Sequence, residues 1–352
     1  MNNLMPRDFT INGIQRFGIT LAGPPCEPLQ ENTEEFTWLA FAAHAGVSIL
    51  EKVAGRQVMT TLGVTLVQEW LRGDSDFRFL GDLARMAEYV DDFLCAIRGN
   101  FPRVVVDSLG GLDVIAEARR IPSQDHSFSK YDPKRAGGIY YNRSQVSQMV
   151  SAAREANETS RHGRKMSARF RTFLFMFAIA TAHELTHLFV GYLAQGQDST
   201  QSYTPPTLSY LNYAGPSWGE SGRWLESLLF GGSIEFYRDS LDDDGQAGIP
   251  YILDSNALAR KIEPSCVRQL VTNIREFDTF PFTTTGEALT VEERREKGLL
   301  SMGSIYVHAS QSSGAHMRSR WEGPAPLYDI SADELCRVPL EPRRVLVKIR
   351  VA

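Results

Sequence analysis

The stretch Arg169-Phe170-Arg171-Thr172-Phe173-Leu174-Phe175-Met176-Phe177-Ala178-Ile179-Ala180-Thr181-Ala182-His183-Glu184-Leu185-Thr186-His187-Leu188-Phe189-Val190-Gly191-Tyr192-Leu193 carries two signals at once. Apolar residues cover almost every side of it at helical spacing, which describes a helix buried all round. Inside that helix sits His-Glu-Leu-Thr-His. Imidazoles four residues apart lie about 40° apart around a helix axis and one turn along it, so His183 and His187 can reach one ion. Glu184 projects roughly 100° away from His183, toward a water on that ion rather than toward the ion itself. HExxH on a helix is the sequence form of a mononuclear zinc site carrying its own general base. Polar groups buried without partners are costly, and a metal would supply partners to all three.

Catalytic zinc takes three protein ligands and a water, so a third ligand must come from elsewhere. The metzincin form is excluded, because its glycine and third histidine would fall at Val190 and Leu193. Downstream, Pro216 to Gly232 reads as a helix opening at Gly219-Glu220 and ending at Gly231-Gly232, with Trp224, Leu225, Leu228 and Leu229 as its buried positions. It offers two carboxylates. Glu220 stands among Gly219, Ser221 and Gly222, whose small side chains allow close approach to the metal helix. Glu226, six residues on, is turned by about 240° and cannot share that face of a helix. Glu220 is therefore the expected ligand. Glu226 is expected to orient an imidazole or pair with Arg223, and is the alternative ligand.

Around this centre the chain changes character. Asn32-Thr33-Glu34-Glu35 predicts a helix start leading into Phe36 to Lys52. Leu80, Leu83, Ala87, Val90, Leu94 and Ile97 mark one face of an amphipathic helix between Asp76 and Arg98. After Pro102 short β-like runs appear, the clearest being Val104-Val105-Val106 and Ile139-Tyr140-Tyr141. Asn142 then caps a helix with Val146, Met149, Val150 and Ala153 on its apolar face. The expected organisation is a mainly helical N-terminal region (1–100), a core (101–240) and a C-terminal region packing on it (241–352). Asp242-Asp243-Asp244-Gly245 reads as an acidic turn, since a calcium-binding EF-hand frame would begin at Ser240 and end at Tyr251.

The order strand, helix, HExxH helix resembles the amino-terminal half of zincin metallopeptidase domains, in which a small twisted sheet precedes the metal-binding helix and its edge strand pairs with extended substrate. That resemblance implies an α+β fold, with the core flanked by mainly helical N-terminal and C-terminal parts. It makes Ile139, Tyr140 and Tyr141 the candidate substrate-edge strand, although the residues themselves fit an internal strand equally well. HExxH with a glutamate on a later helix is similar to the gluzincin group, to which thermolysin and the clostridial neurotoxin proteases belong. The spacing and the Phe230-Gly231-Gly232 ending lie closer to the neurotoxin pattern. The residue four after Glu220 is Trp224, where thermolysin's pattern has aspartate. By this resemblance Zn2+ is held by His183, His187 and Glu220, Glu184 is the general base, and the substrate is a peptide or small amide. An oxyanion stabiliser would come from outside the two helices, with Tyr306 and His308 the leading candidates beside Tyr203, Tyr210, Tyr213, His316 and Arg320.

Composition sets outer limits. The chain has 352 residues, 43% of them hydrophobic, enough for a substantial core. A net charge of −5 gives no support for nucleic acid or an anionic membrane as partner. The basic residues from Arg161 to Arg171 read as the solvated start of the long helix. Met1 to Asp8 lacks the form of a secretory signal and no separate membrane span is evident, so a cytoplasmic protein is expected. Cys26, Cys95, Cys266 and Cys336 form no CxxC pair and are expected to be reduced. Two other classes share the ligand set: a non-haem Fe(II) oxygenase, and a zincin-like scaffold or biosynthetic enzyme without peptidase activity. Oligomeric state is not legible.

Overall fold

A helix that is apolar on every side must be enclosed, and the elements are arranged to enclose one. The computed structural model describes residues 14–73, 77–109, 114–121, 127–157, 159–195, 204–211, 219–301 and 346–350. Strands β1 (Ile19–Leu21) and β2 (Glu27–Pro28) precede three helices, α1 (Glu34–Glu51), α2 (Val53–Gly73) and α3 (Met86–Gly99). Then come β3 (Arg103–Asp107), β4 (Val114–Arg120), the single turn α4 (Pro133–Ala136), β5 (Gly137–Asn142) and α5 (Arg143–Glu155). The HExxH helix is α6 (Arg161–Ala194), followed by α7 (Ser221–Leu229). The remaining elements are β6 (Ser233–Asp239), β7 (Ile249–Leu253), β8 (Ala259–Ile262), α8 (Pro264–Thr272), β9 (Thr284–Leu289), α9 (Val291–Glu296), β10 (Leu299–Ser301) and β11 (Leu346–Arg350).

The first sheet has the order β11-β4-β5-β3-β1-β2. Strands β1, β3 and β5 run parallel, while β4 runs antiparallel beside β5 and β11 antiparallel beside β4. Strand alternation divides the side chains. In β3 and β5, Val104, Val106, Ile139 and Tyr141 join the main core with the helices, whereas Val105 and Tyr140 form a separate cluster with Leu109; β4, whose pairing with β11 is irregular at its start, sends Ile115, Ala116 and Ala118 to the main core and Val114 to the other cluster.

Helix α6 is the axis of that core. From Phe173 to Val190 every residue is buried, and α6 packs most extensively on α1, then on α5, α7, β4 and α8. It is long and apolar enough to cross a membrane, but its apolar stretch lies wholly inside the protein. Ser160 caps it, accepting from the Gly163 N–H at 2.9 Å. Its charged start is anchored by the acidic turn, since Arg169 pairs with Asp242 and Asp243 and Lys165 with Asp242.

Several local expectations coincide with the elements. Thr33 caps α1, and the Asn142 side chain accepts from the Ser144 N–H at 3.0 Å to cap α5. Others need correction. The expected helix from Asp76 starts only at Met86, after a 3-10 turn at Leu83–Arg85 whose cap is Asp82, and Leu80 is 57% exposed. The short polar side chain of Asp82 accepts from the Ala84 N–H and turns the chain into the helix there. Among the described residues the C-terminal part is not mainly helical: β6 to β10 form a five-stranded antiparallel sheet in the order β10-β6-β7-β8-β9. Its short strands carry exposed charges such as Arg260, which hide their alternation. The boundaries drawn at 100 and 240 both cut sheets, because β1 pairs with β3 and β6 with β7. Cys26, Cys95 and Cys266 are unpaired, and Cys336 lies outside the described residues.

The crossing of α1 over α6 depends on Gly46. A Cβ there would stand 2.5 Å from Thr181 Cβ and 2.9 Å from the Ala178 carbonyl oxygen. Although alanine favours helix over glycine by about 1 kcal/mol, overpacking should dominate. Gly46→Ala is expected to lower stability by about 1–3 kcal/mol, read as a shifted urea midpoint. An unchanged or higher midpoint would contradict this packing.

Candidate metal centre

Helix α6 brings His183 and His187 onto one face, their ring centroids 5.0 Å apart. Across from them Glu220 presents its Oε1, 3.2 Å from His183 Nε2 and 2.6 Å from His187 Nε2. The donor atoms of the three residues all lie within 4.8 Å of one another. Glu220 is the N-cap of α7, with extended backbone (φ −136°, ψ 93°), and its Oε2 accepts from the Arg223 N–H. The Glu220 N–H donates to the Leu208 carbonyl at 2.8 Å, so the preceding loop fixes the residue from behind.

Each imidazole is held by the nitrogen turned away from Glu220. His183 Nδ1 lies 2.7 Å from Glu226 Oε1, and His187 Nδ1 lies 2.8 Å from Ser221 Oγ. With Nδ1–H donating in both rings, both Nε2 lone pairs face the same point. Glu226 is itself fixed, its Oε2 accepting from Arg223 Nη1 and from the Ile234 N–H, both at 2.9 Å. Arg223 continues inward to Ser233 Oγ, the Ile234 carbonyl and Glu235. Helical rotation separates Glu220 from Glu226 only if both belong to the helix. Because Glu220 sits outside the first turn, both carboxylates reach His183, from opposite edges of its ring. Close approach is made possible by Gly222, where a Cβ would fall 2.2 Å from His183 Nε2.

Glu184 is buried beside this group. Its Oε2 accepts from the Ala118 N–H of β4 at 2.6 Å, while its Oε1 has no hydrogen-bond partner. Burial pushes its carboxyl up to about 8, and the Glu220 charge adds to this against the pull of His183 and the Ala118 N–H. Burial alone would strip the proton from His183, but Glu220 and Glu226 outweigh it and raise the imidazole to about 10. His187 goes the other way, to about 4, through burial and the positive charges of His183 and Arg120, against Glu220. Glu220 is held well below the usual carboxylate range, the two imidazoles overcoming its burial.

This donor set fits a small divalent cation. Two imidazole nitrogens and one carboxylate oxygen converge, with the opposite nitrogen of each ring fixed as metal-binding histidines require. His187 Nε2 has no properly directed hydrogen bond.

Other expectations fall elsewhere. Ile139, Tyr140 and Tyr141 are not an edge: β5 lies between β4 and β3, and all three residues are buried. Tyr141 donates to Thr181 Oγ1 at 2.6 Å beneath the site, and Tyr140 lies under the Arg119 guanidinium on the far face. The strand that touches Glu184 is β4, which the alternation of charge and apolar residues in Val-Ile-Ala-Glu-Ala-Arg-Arg could have signalled. Tyr306 and His308 lie outside the described residues, as do Tyr203, Tyr213, His316 and Arg320. Tyr210 donates to the Leu253 carbonyl at 3.1 Å, in the second sheet. Leu228 is 47% exposed rather than buried, facing away from α6. Ser221, expected only as a small neighbour of Glu220, is also the partner of His187 Nδ1. Comparisons with protein-family models, with curated proteins and with solved structures each return no match.

A proton on His183 must leave before its Nε2 can bind a cation. The protonated form prevails at neutral pH, so apparent affinity for added Zn2+ should rise with pH, by about tenfold per unit for each proton released. Competition titrations at about pH 6, 7 and 8 read this directly. Affinity independent of pH would contradict the proton inventory of the site.

Proposed function

We propose that this protein is a zinc-dependent hydrolase of the gluzincin kind, acting on a peptide or small amide. The observation that carries the reading is the position of Glu184: a carboxylate buried beside the His183, His187 and Glu220 group, with one oxygen tethered and the other unengaged. A merely structural cation site has no use for such a group, and its burial needs a reason.

Zn2+ bound by His183, His187 and Glu220 would polarise a substrate carbonyl and acidify a water. The remaining work falls to the protein. The Ala118 N–H fixes Glu184 Oε2, which leaves Oε1 to take the proton from the attacking water and pass it to the departing nitrogen. A carboxyl raised toward neutrality is well matched to both transfers. Glu226, anchored by Arg223, accepts the His183 Nδ1–H and keeps that ring in one tautomer and orientation.

Strand β4, which holds Glu184 through the Ala118 N–H, is interior to the sheet and covered on its outer side by β11. Strand β11 pairs there antiparallel, with Val347 opposite Ala118 and Lys348 opposite Glu117. A peptide approaching Glu184 by strand addition would have to take the place of β11 on β4.

Glu184→Gln keeps size and removes the base. It should retain one equivalent of Zn2+ while hydrolysis in a peptide and amide screen falls by about 10²–10⁴-fold. Glu220→Ala should lose Zn2+ and hydrolysis together. Undiminished hydrolysis by Glu184→Gln would remove this reading.

A further inference from the structure

The last residue of β4, Arg120, stands two positions beyond Ala118, so both side chains project from the same face of the strand, toward α6. Its stem crosses α6 at Gly191, one turn after His187. A Cβ on Gly191 would lie 3.2 Å from Arg120 Cδ and 4.0 Å from Nη1, so glycine keeps this lane open. The positive charge is close enough to help depress protonation of His187.

What distinguishes Arg120 is that no partner for it stands among the described residues. Its Nε and Nη1 are shut off from water and make no hydrogen bond, and no described carboxylate forms an ion pair with it. Burial alone moves its guanidinium, down to about 10. The buried arginines Arg223 and Arg294, and the partly buried Arg119, each have a charged or carbonyl partner within the fold. Arg223 meets Glu226 and Glu235, Arg294 donates to the Leu289 carbonyl, and Arg119 pairs with Glu117. Arg120 as a whole is only partly buried, but holding two of its guanidinium nitrogens away from water without a partner is costly. Beside a candidate reaction centre, this is explained if a ligand supplies the missing charge.

We propose that the substrate of this site carries a carboxylate and that Arg120 receives it. The assignment rests on the hydrolytic reading for what happens to the ligand, but its anion specificity stands on Arg120 alone. One guanidinium suits one planar monoanion, and a phosphate dianion would need further cations, none of which is placed beside it among the described residues. A permanent, partly desolvated cation also matches a permanent anion better than a charge that develops only during reaction. The carboxylate can be a main-chain terminus or an acidic side chain.

The test uses the full chain, free of metal, and three probes of one shape: N-acetylglutamine amide with no carboxylate, N-acetylglutamine with a main-chain carboxylate, and N-acetylglutamate α-amide with a side-chain carboxylate. Binding is followed by calorimetry or by amide chemical shifts. At least one acid should bind about tenfold or more tightly than the diamide, as expected for a charged hydrogen bond to a buried donor, and which acid wins identifies the source. Arg120→Gln should bring all three within about twofold of each other, with Arg120→Lys keeping part of the preference. If Arg120→Gln does not fold, Gly191→Ala, which crowds the stem and leaves the charge in place, must weaken the preference. Equal or undetectable binding of all three probes to the unmodified protein overturns the proposal, and so does a preference that survives these changes. Hydrolysis by the zinc-loaded chain is scored separately: its absence with the preference intact removes the hydrolytic reading and leaves the carboxylate site standing.

Discussion

Everything in this fold turns on the convergence of His183 Nε2, His187 Nε2 and Glu220 Oε1 inside a helix-lined core. Polar atoms gathered so deeply are tolerable only when each is answered by a partner of opposite character. The answer comes in shells. Glu226 and Ser221 fix the outer nitrogens of the rings, Arg223 fixes Glu226, and Glu235, Ser233 and the Ile234 backbone fix Arg223. The network ends in β6, so the second sheet supports the site although it contributes no atom to it.

The unanswered atoms are equally informative. Glu184 Oε1 and two nitrogens of Arg120 lack partners on the side of α6 that faces β4. Their closeness to His183 and His187 is what sets them apart from the other unpartnered buried atoms and is the basis of both proposals.

Much of this was legible in the sequence, and what was not has a physical cause. The buried helix and its histidine spacing are local properties, and so are the caps at Thr33 and Asn142. Glu220 and Glu226 were legible as a pair, because glycine and serine around Glu220 advertise close approach. Their geometry was not, since a wheel argument cannot tell that Glu220 caps the helix instead of joining it. Which strand lies at a sheet edge is a long-range property. Ile139-Tyr140-Tyr141 and Val104-Val105-Val106 announce strands, but their apolar richness marks interior ones, buried on both faces. Strand β4, with Glu117, Arg119 and Arg120, is hidden by its charges. The second sheet escaped notice because its strands are short and partly charged.

The most direct test of the central claim is the metal itself. Protein purified without chelator, or reconstituted with Zn2+, should hold one equivalent per chain, with X-ray absorption showing nitrogen and oxygen neighbours at about 2.0–2.2 Å and imidazole scattering from two rings. Failure to bind a stoichiometric ion, or an ion ligated by sulfur, would contradict the account.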